Sequence, residues 1–185
     1  MKTLKFKKLR SNIKDHVQKL SEEGFHQIFS RIDQLNIKKG VDKMGLEKFI
    51  DQCAYLAATS GVISGSGGML TLIVGMPVDF LNLITQQFRV TMAIMYANNG
   101  TYQMSFPDFM SLIATSLKVE AGIAITKTMM EAIAEKMLMM VGTRTAERMV
   151  PVVGAVIGGT ANYLFIKRMA ASVKKMDLVT VQIVN

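Results

Sequence analysis

From Cys53 to Val78 the chain runs 26 residues without a charged side chain, and Gly61, Gly65, Gly67, Gly68 and Gly75 are threaded through it. A bilayer core of roughly 30 Å is crossed by about 20 helical residues, so length and apolarity alone admit a membrane span. Glycine argues the other way, because each one costs a helix interior about 1 kcal/mol relative to alanine. The segment therefore reads as close helix packing, a break through Ser64–Gly68, and further apolar chain. Met149 to Ile166 is a second uncharged stretch and carries Gly154, Gly158 and Gly159. The two form either a transmembrane or re-entrant pair or a buried core, and their glycine, serine and threonine content favours burial at least as strongly.

Small residues in both stretches fall at helical spacing. Cys53, Ala57, Gly61 and Gly65 lie at four-residue intervals, as do Pro151, Ala155 and Gly159, with Gly154 and Gly158 on the adjacent row. On a continuous helix such residues line one thin stripe, which lets a second backbone come close. The expectation is that Ala57, Gly61, Gly65, Pro151, Ala155, Gly158 and Gly159 are helix-packing positions, bringing the two segments flush at the centre of the molecule.

Composition sets the fold class around them. Of 185 residues half are hydrophobic, 7% are aromatic, Trp is absent and Met numbers 16, so apolar volume comes mainly from Ala, Val, Ile, Leu and Met. That profile predicts an all-α, compact multi-helix bundle of about six to eight helices with one core. Basic amphipathic N-terminal helices occupy residues 1–40, the helical domain 41–178, and a short tail 179–185. The single cysteine, Cys53, cannot form an internal disulfide and reads as a small buried hydrophobe in a reducing compartment.

The net charge of +8 is unevenly placed: residues 1–52 hold twelve Lys/Arg against seven Asp/Glu, whereas residues 53–117 contain only Asp79, Arg89 and Asp108. Leu4, Leu9, Ile13, Val17 and Leu20 recur at three-to-five-residue spacing, with Lys5, Lys7, Lys8, Arg10 and Lys14 among them. Such a helix lies on anionic lipid headgroups or docks on the core as a solvated outer helix. No basic face interleaved with aromatics or phosphate loops is present, which disfavours nucleic acid as partner. The N-terminal twenty residues keep basic side chains throughout and never open an apolar secretory region. The expected location is the cytoplasm, against the inner face of the cell membrane.

Ser21 with Glu22 and Glu23 predicts a helix start, and Lys38-Lys39-Gly40 its stop, giving a helix over about 22–37. The next begins near Asp42 or Met44. Pro77 suits the first turn of another helix, which runs through Tyr96 to an Asn98-Asn99-Gly100 stop. On it Asp79, Asn82, Gln86 and Arg89 fall at i, i+3, i+7 and i+10, a polar ribbon among apolar neighbours. Asp79 and Arg89 are about 15 Å apart along the axis and cannot pair with each other. The expectation is the solvent stripe of a mostly buried helix, and the functional alternative is a seam that binds a ligand or partner helix. Ser105 opens a further helix, residues 120–148 are helical again, Pro151 begins another, and Leu178–Val184 reads as a short extended tail.

Chemistry-bearing constellations are missing from this pattern. His16 and His26 have no Cys or carboxylate cluster at metal-ligand spacing. Gly65-Ser66-Gly67-Gly68 lacks the Lys-Ser/Thr ending of a phosphate loop. The methionines lack His or Cys partners and read as adaptable packing rather than a copper site. No metal, cofactor or catalytic residue is expected, and the chain reads as a non-enzyme.

The stretch ATSGVISGSGGMLTLIVGMPVDFLNLITQQFRVTMAIMYANNG, followed about fifty residues later by VPVVGAVIGGTANYLFIKRMAASVKK, resembles the EcsC protein family. Its A-x-x-G-x-x-x-G-x-G-G segment corresponds to Ala57 or Ala58 through Gly68, and its Pro-Asp helix start and Gln/Arg pair to Pro77, Asp79, Gln87 and Arg89. A second segment, P-x-x-G-A-x-x-G-x-x-x-N, corresponds to Pro151, Gly154, Ala155, Gly158 and Asn162. The resemblance covers residues 43–175. It implies an accessory protein whose bacterial namesake gene neighbours an ABC transporter pair; the family's biochemical role is unassigned, and no catalytic residue carries over. Two classes of function follow: a membrane-associated accessory protein whose partners are the lipid surface and a transporter subunit, or a soluble module enclosing a lipid or other hydrophobic ligand, with Asp79, Asn82, Gln86 and Arg89 orienting its polar head.

Overall fold

The computed structural model describes residues 17–59, 78–119, 126–142 and 151–176, and all regular structure among them is helical. The expected N-terminal helix, with Lys5, Lys7, Lys8, Arg10 and Lys14, lies outside the described residues apart from its last positions, 17–20. So do Gly61, Gly65, the Ser64–Gly68 break and the Leu178–Val184 tail.

A π-turn over Leu20–Gly24 runs into α1 (Phe25–Ser30), followed by a 3-10 turn over Ile32–Leu35 and α2 (Ile37–Met44). This corrects the expected single helix over 22–37. The chain breaks at Asn36, which adopts left-handed backbone with φ 52°, a conformation asparagine tolerates better than most residues. Lys38-Lys39-Gly40 is therefore no stop; it sits inside α2. Gly40 serves packing, since a Cβ there would lie 2.4 Å from Cε2 of the buried Phe49 ring. The real boundary is Gly45 at φ 82°, after which α3 spans Leu46–Ala58.

Helix α4 (Val78–Asn99) ends at Gly100 as its sequence predicts. α5 (Phe106–Ser116) starts on Ser105, whose Oγ accepts from the Asp108 backbone N–H at 3.2 Å. α6 spans Lys127–Gly142, inside the expected 120–148, of which 120–125 and 143–148 lie outside the described residues. α7 (Pro151–Lys175) continues past Lys167-Arg168.

The chain is an all-α bundle built on three mutually packed helices, α3, α4 and α7. Pairings Ala57–Asn162, Asp51–Lys167 and Glu47–Lys174 run α7 antiparallel to α3. Leu56–Asn82 and Phe49–Arg89 run α4 antiparallel to α3 as well. α4 is the central rod, buried at every position from Phe80 to Met95 except the half-buried Arg89. A chain of rings then joins α1, α4 and α5. Phe25 stacks on Phe88 at 6.0 Å, Phe88 meets Phe109 edge-on at 4.7 Å, and Phe29 touches Phe109 at 5.1 Å. Among the described residues no helix is long and apolar enough to cross a membrane.

Candidate functional site

The ribbon on α4 is not a solvent stripe. Asn82 and Gln86 are each 1% exposed, because α3 lies directly over this face. Their spacing of four and three residues stacks the side chains, and each donates to the next. Arg89 Nη1 donates to Gln86 Oε1 at 2.8 Å, Gln86 Nε2 to Asn82 Oδ1 at 3.0 Å, and Asn82 Nδ2 to the Leu56 carbonyl at 2.7 Å. All the bonds point one way, from a cation to the C-terminal end of α3, where backbone carbonyls lack helical partners and the dipole is negative. The guanidinium also lies 5.0 Å from the Phe49 ring centroid, while its Nε is buried without a partner. Asp79 belongs to the first turn of α4, and its side chain lies outside the described residues.

A second amide reaches the same helix end from α7. Asn162, 4% exposed, donates from Nδ2 to the Ala57 carbonyl at 3.1 Å. Gly159 makes that approach possible: a Cβ on it would stand 3.0 Å from the Ala58 carbonyl oxygen. The close contact between the two stretches thus runs through Ala57, Ala58, Gly159 and Asn162. The Pro151, Ala155 and Gly158 side positions are outside the described residues. Spacing identified the small residues; that asparagines would cap a helix end across the interface had no local signal. Gln87 and Thr91, on another face of α4, are buried with Gln87 Oε1 and Nε2 and Thr91 Oγ1 unpaired.

Cys53, on α3, is buried within the field of Arg89. Burial pushes its thiol pKa up to about 11, against the lowering field of Arg89, so it is protonated at neutral pH. At the solvent edge of the α3–α7 interface Lys167 Nζ meets Asp51 Oδ1 at 2.6 Å, with the Tyr163 hydroxyl donating to the same oxygen at 3.4 Å. The Lys167 hydrogen bond holds the Asp51 carboxyl below its ordinary value, and Asp51 raises Lys167 in return. Lys174 pairs with Glu47 further along.

An open groove of about 590 Å³ runs between α2 and the α4–α5 connection. Lys38, Lys39 and Lys43 stand along it, facing Tyr102. An adjoining pocket of about 210 Å³ shares Asp33, Lys38 and Tyr102 and adds Tyr96. Lys38 Nζ sits 5.4 Å from the Tyr96 ring centroid, and the Tyr96 hydroxyl donates to Asp42 Oδ1 at 2.7 Å. Burial and the neighbouring Asp33 carboxylate raise the Tyr102 phenol above its ordinary value. In the sequence Lys38 and Lys39 look like part of a helix stop, and nothing local there links them to Lys43.

No family model matches the chain, and searches of curated proteins and of solved structures likewise find no match.

Proposed function

We propose that the chain is a non-enzymatic, membrane-associated accessory protein of the EcsC-like type, working on the cytoplasmic face beside a transporter subunit. The observation that carries this reading is the internal commitment of the polar ribbon. Asn82, Gln86 and Asn162 hold α3 in place, which leaves the charged side chains of a chain with net charge +8 as the groups for a partner. Anionic membrane surfaces attract such charge. The quoted sequence motifs supply the family part of the proposal, and the lipid surface is the partner it names first.

One observation favours a second reading, a soluble module with a hydrophobic ligand. The Arg89 Nε is buried without a partner, and among the described residues the cation's recorded hydrogen bond goes to an amide rather than a carboxylate. Cell fractionation separates the two. The membrane reading expects association released by salt, or resistant to carbonate if the apolar segments insert. Recovery wholly in the soluble fraction with co-purified lipid would replace it with the second.

A further inference from the structure

We propose that the groove between α2 and the α4–α5 connection receives the phosphate of an anionic lipid headgroup, with Lys38, Lys39 and Lys43 supplying the charge and Tyr102 the facing wall. This rests on the membrane reading above and names the site that carries it.

The groove is lined by three ammonium groups and two exposed carboxylates, a net positive charge, and each carboxylate is engaged by a phenol. Asp42 accepts from the Tyr96 hydroxyl, and Asp33 lies against Tyr102. The ion pairs recorded among the described residues involve Lys127, Lys167 and Lys174, and none reaches Lys39 or Lys43. Both are exposed and sit four residues apart on α2, so their Cβ atoms are about 5–6 Å from each other on one face. That spacing lets two ammonium groups converge on one phosphate. Lys38 is steadied over the Tyr96 ring at the groove's other edge.

Shape selects the kind of ligand. A groove of about 590 Å³, open to solvent and lined by lysine, aspartate and tyrosine together with Asn36 and Ile37, has room for a headgroup and is a surface recess rather than an enclosed cavity. It fits a lipid that stays in its bilayer. Tyrosine suits the same boundary, since its ring prefers the headgroup level of a membrane.

Sedimentation of the purified full chain with vesicles tests this, using phosphatidylcholine alone and phosphatidylcholine mixed in equal parts with phosphatidylglycerol. The unaltered chain is expected to partition onto the mixed vesicles. Each lysine at an anionic surface is worth roughly five-fold in partitioning, so K38Q/K39Q/K43Q should weaken binding roughly ten- to hundred-fold. The control K136Q/R168Q/K175Q removes equal charge from exposed positions elsewhere and should cost only a few-fold. D33N, which removes an opposing charge, should tighten binding. Equal losses in the two triple variants, an unaffected groove variant, or no gain in D33N would each overturn the groove while leaving the membrane reading intact. Indifference of the unaltered chain to phosphatidylglycerol would remove both. Binding of free glycerol 3-phosphate as tight as that of the mixed vesicles would assign the groove to a soluble phosphate and overturn the lipid assignment.

Discussion

Asn82 does two jobs with one amide: its Nδ2 donates a hydrogen bond to the Leu56 carbonyl and its Oδ1 accepts one from Gln86 Nε2. Gln86, 1% exposed, has no water at hand, whereas the half-buried Leu56 carbonyl also accepts from the Thr59 hydroxyl at 3.5 Å. A buried polar group left without its partner costs about 1–3 kcal/mol, so N82L, which strands the buried Gln86 amide, should lower the free energy of unfolding by about 1–3 kcal/mol in urea denaturation. N82D keeps an acceptor for Gln86 but sets a carboxylate against the negative end of α3, and should be at least as damaging as leucine. A loss under about 1 kcal/mol for N82L would mean that the ladder does not hold the helix end. The spacing of Asn82, Gln86 and Arg89 was legible in the sequence, but its exposure was not. Period identifies which residues share a face; only the packing of the other helices decides whether that face meets solvent, and here α3 covers it.

At the scale of elements, α2 shows how a composition signal can be right about a residue and wrong about its role. Lys-Lys-Gly looks like a helix stop, yet Gly40 lies mid-helix because Phe49 from α3 occupies the space its side chain would need. Exchanging a helical glycine for alanine normally gains about 1 kcal/mol. In G40A the new Cβ would stand 2.4 and 2.6 Å from two ring carbons of a phenylalanine 1% exposed, with the Arg89 guanidinium 5.0 Å from the ring centroid. The ring has no free direction to swing, and overpacking of this kind costs about 1–3 kcal/mol. G40A is expected to be destabilised, with F49L recovering part of the loss in the double variant. A double-mutant cycle on thermal or urea unfolding measures this, and additive effects would show that the two residues do not touch. Elements bounded by strong local chemistry, such as Ser105 before α5 and Gly100 after α4, were legible. Those bounded by tertiary contact or by the backbone of Asn36 were not.

At the scale of the whole molecule the question is where the core ends. Sequence charge draws a line at residue 40, with basic amphipathic helices before it and the helical domain after. The hydrophobic core, by contrast, is one cluster among the described residues, drawn from Leu20 to Val173, and includes Phe25, Ile28, Leu35 and Ile37 from before that line. Phe25 lies against Phe88 of the central helix, and Phe29 against Phe109 of α5. Deleting residues 1–40 takes those rings away and uncovers Phe88 and Phe109, each fully buried in the intact chain. Burying a phenylalanine is worth about 1.5–3 kcal/mol, and several such losses together reach the 5–15 kcal/mol that holds a typical domain folded. The shortened chain is therefore expected to lose its cooperative thermal transition and to bind a hydrophobic dye, as loosely packed helical states do. A shortened chain that melts as sharply and at the same temperature as the intact one would place the edge of the core at Val41, and the aromatic chain from α1 to α5 would then be an ornament on a self-sufficient bundle of α3, α4 and α7.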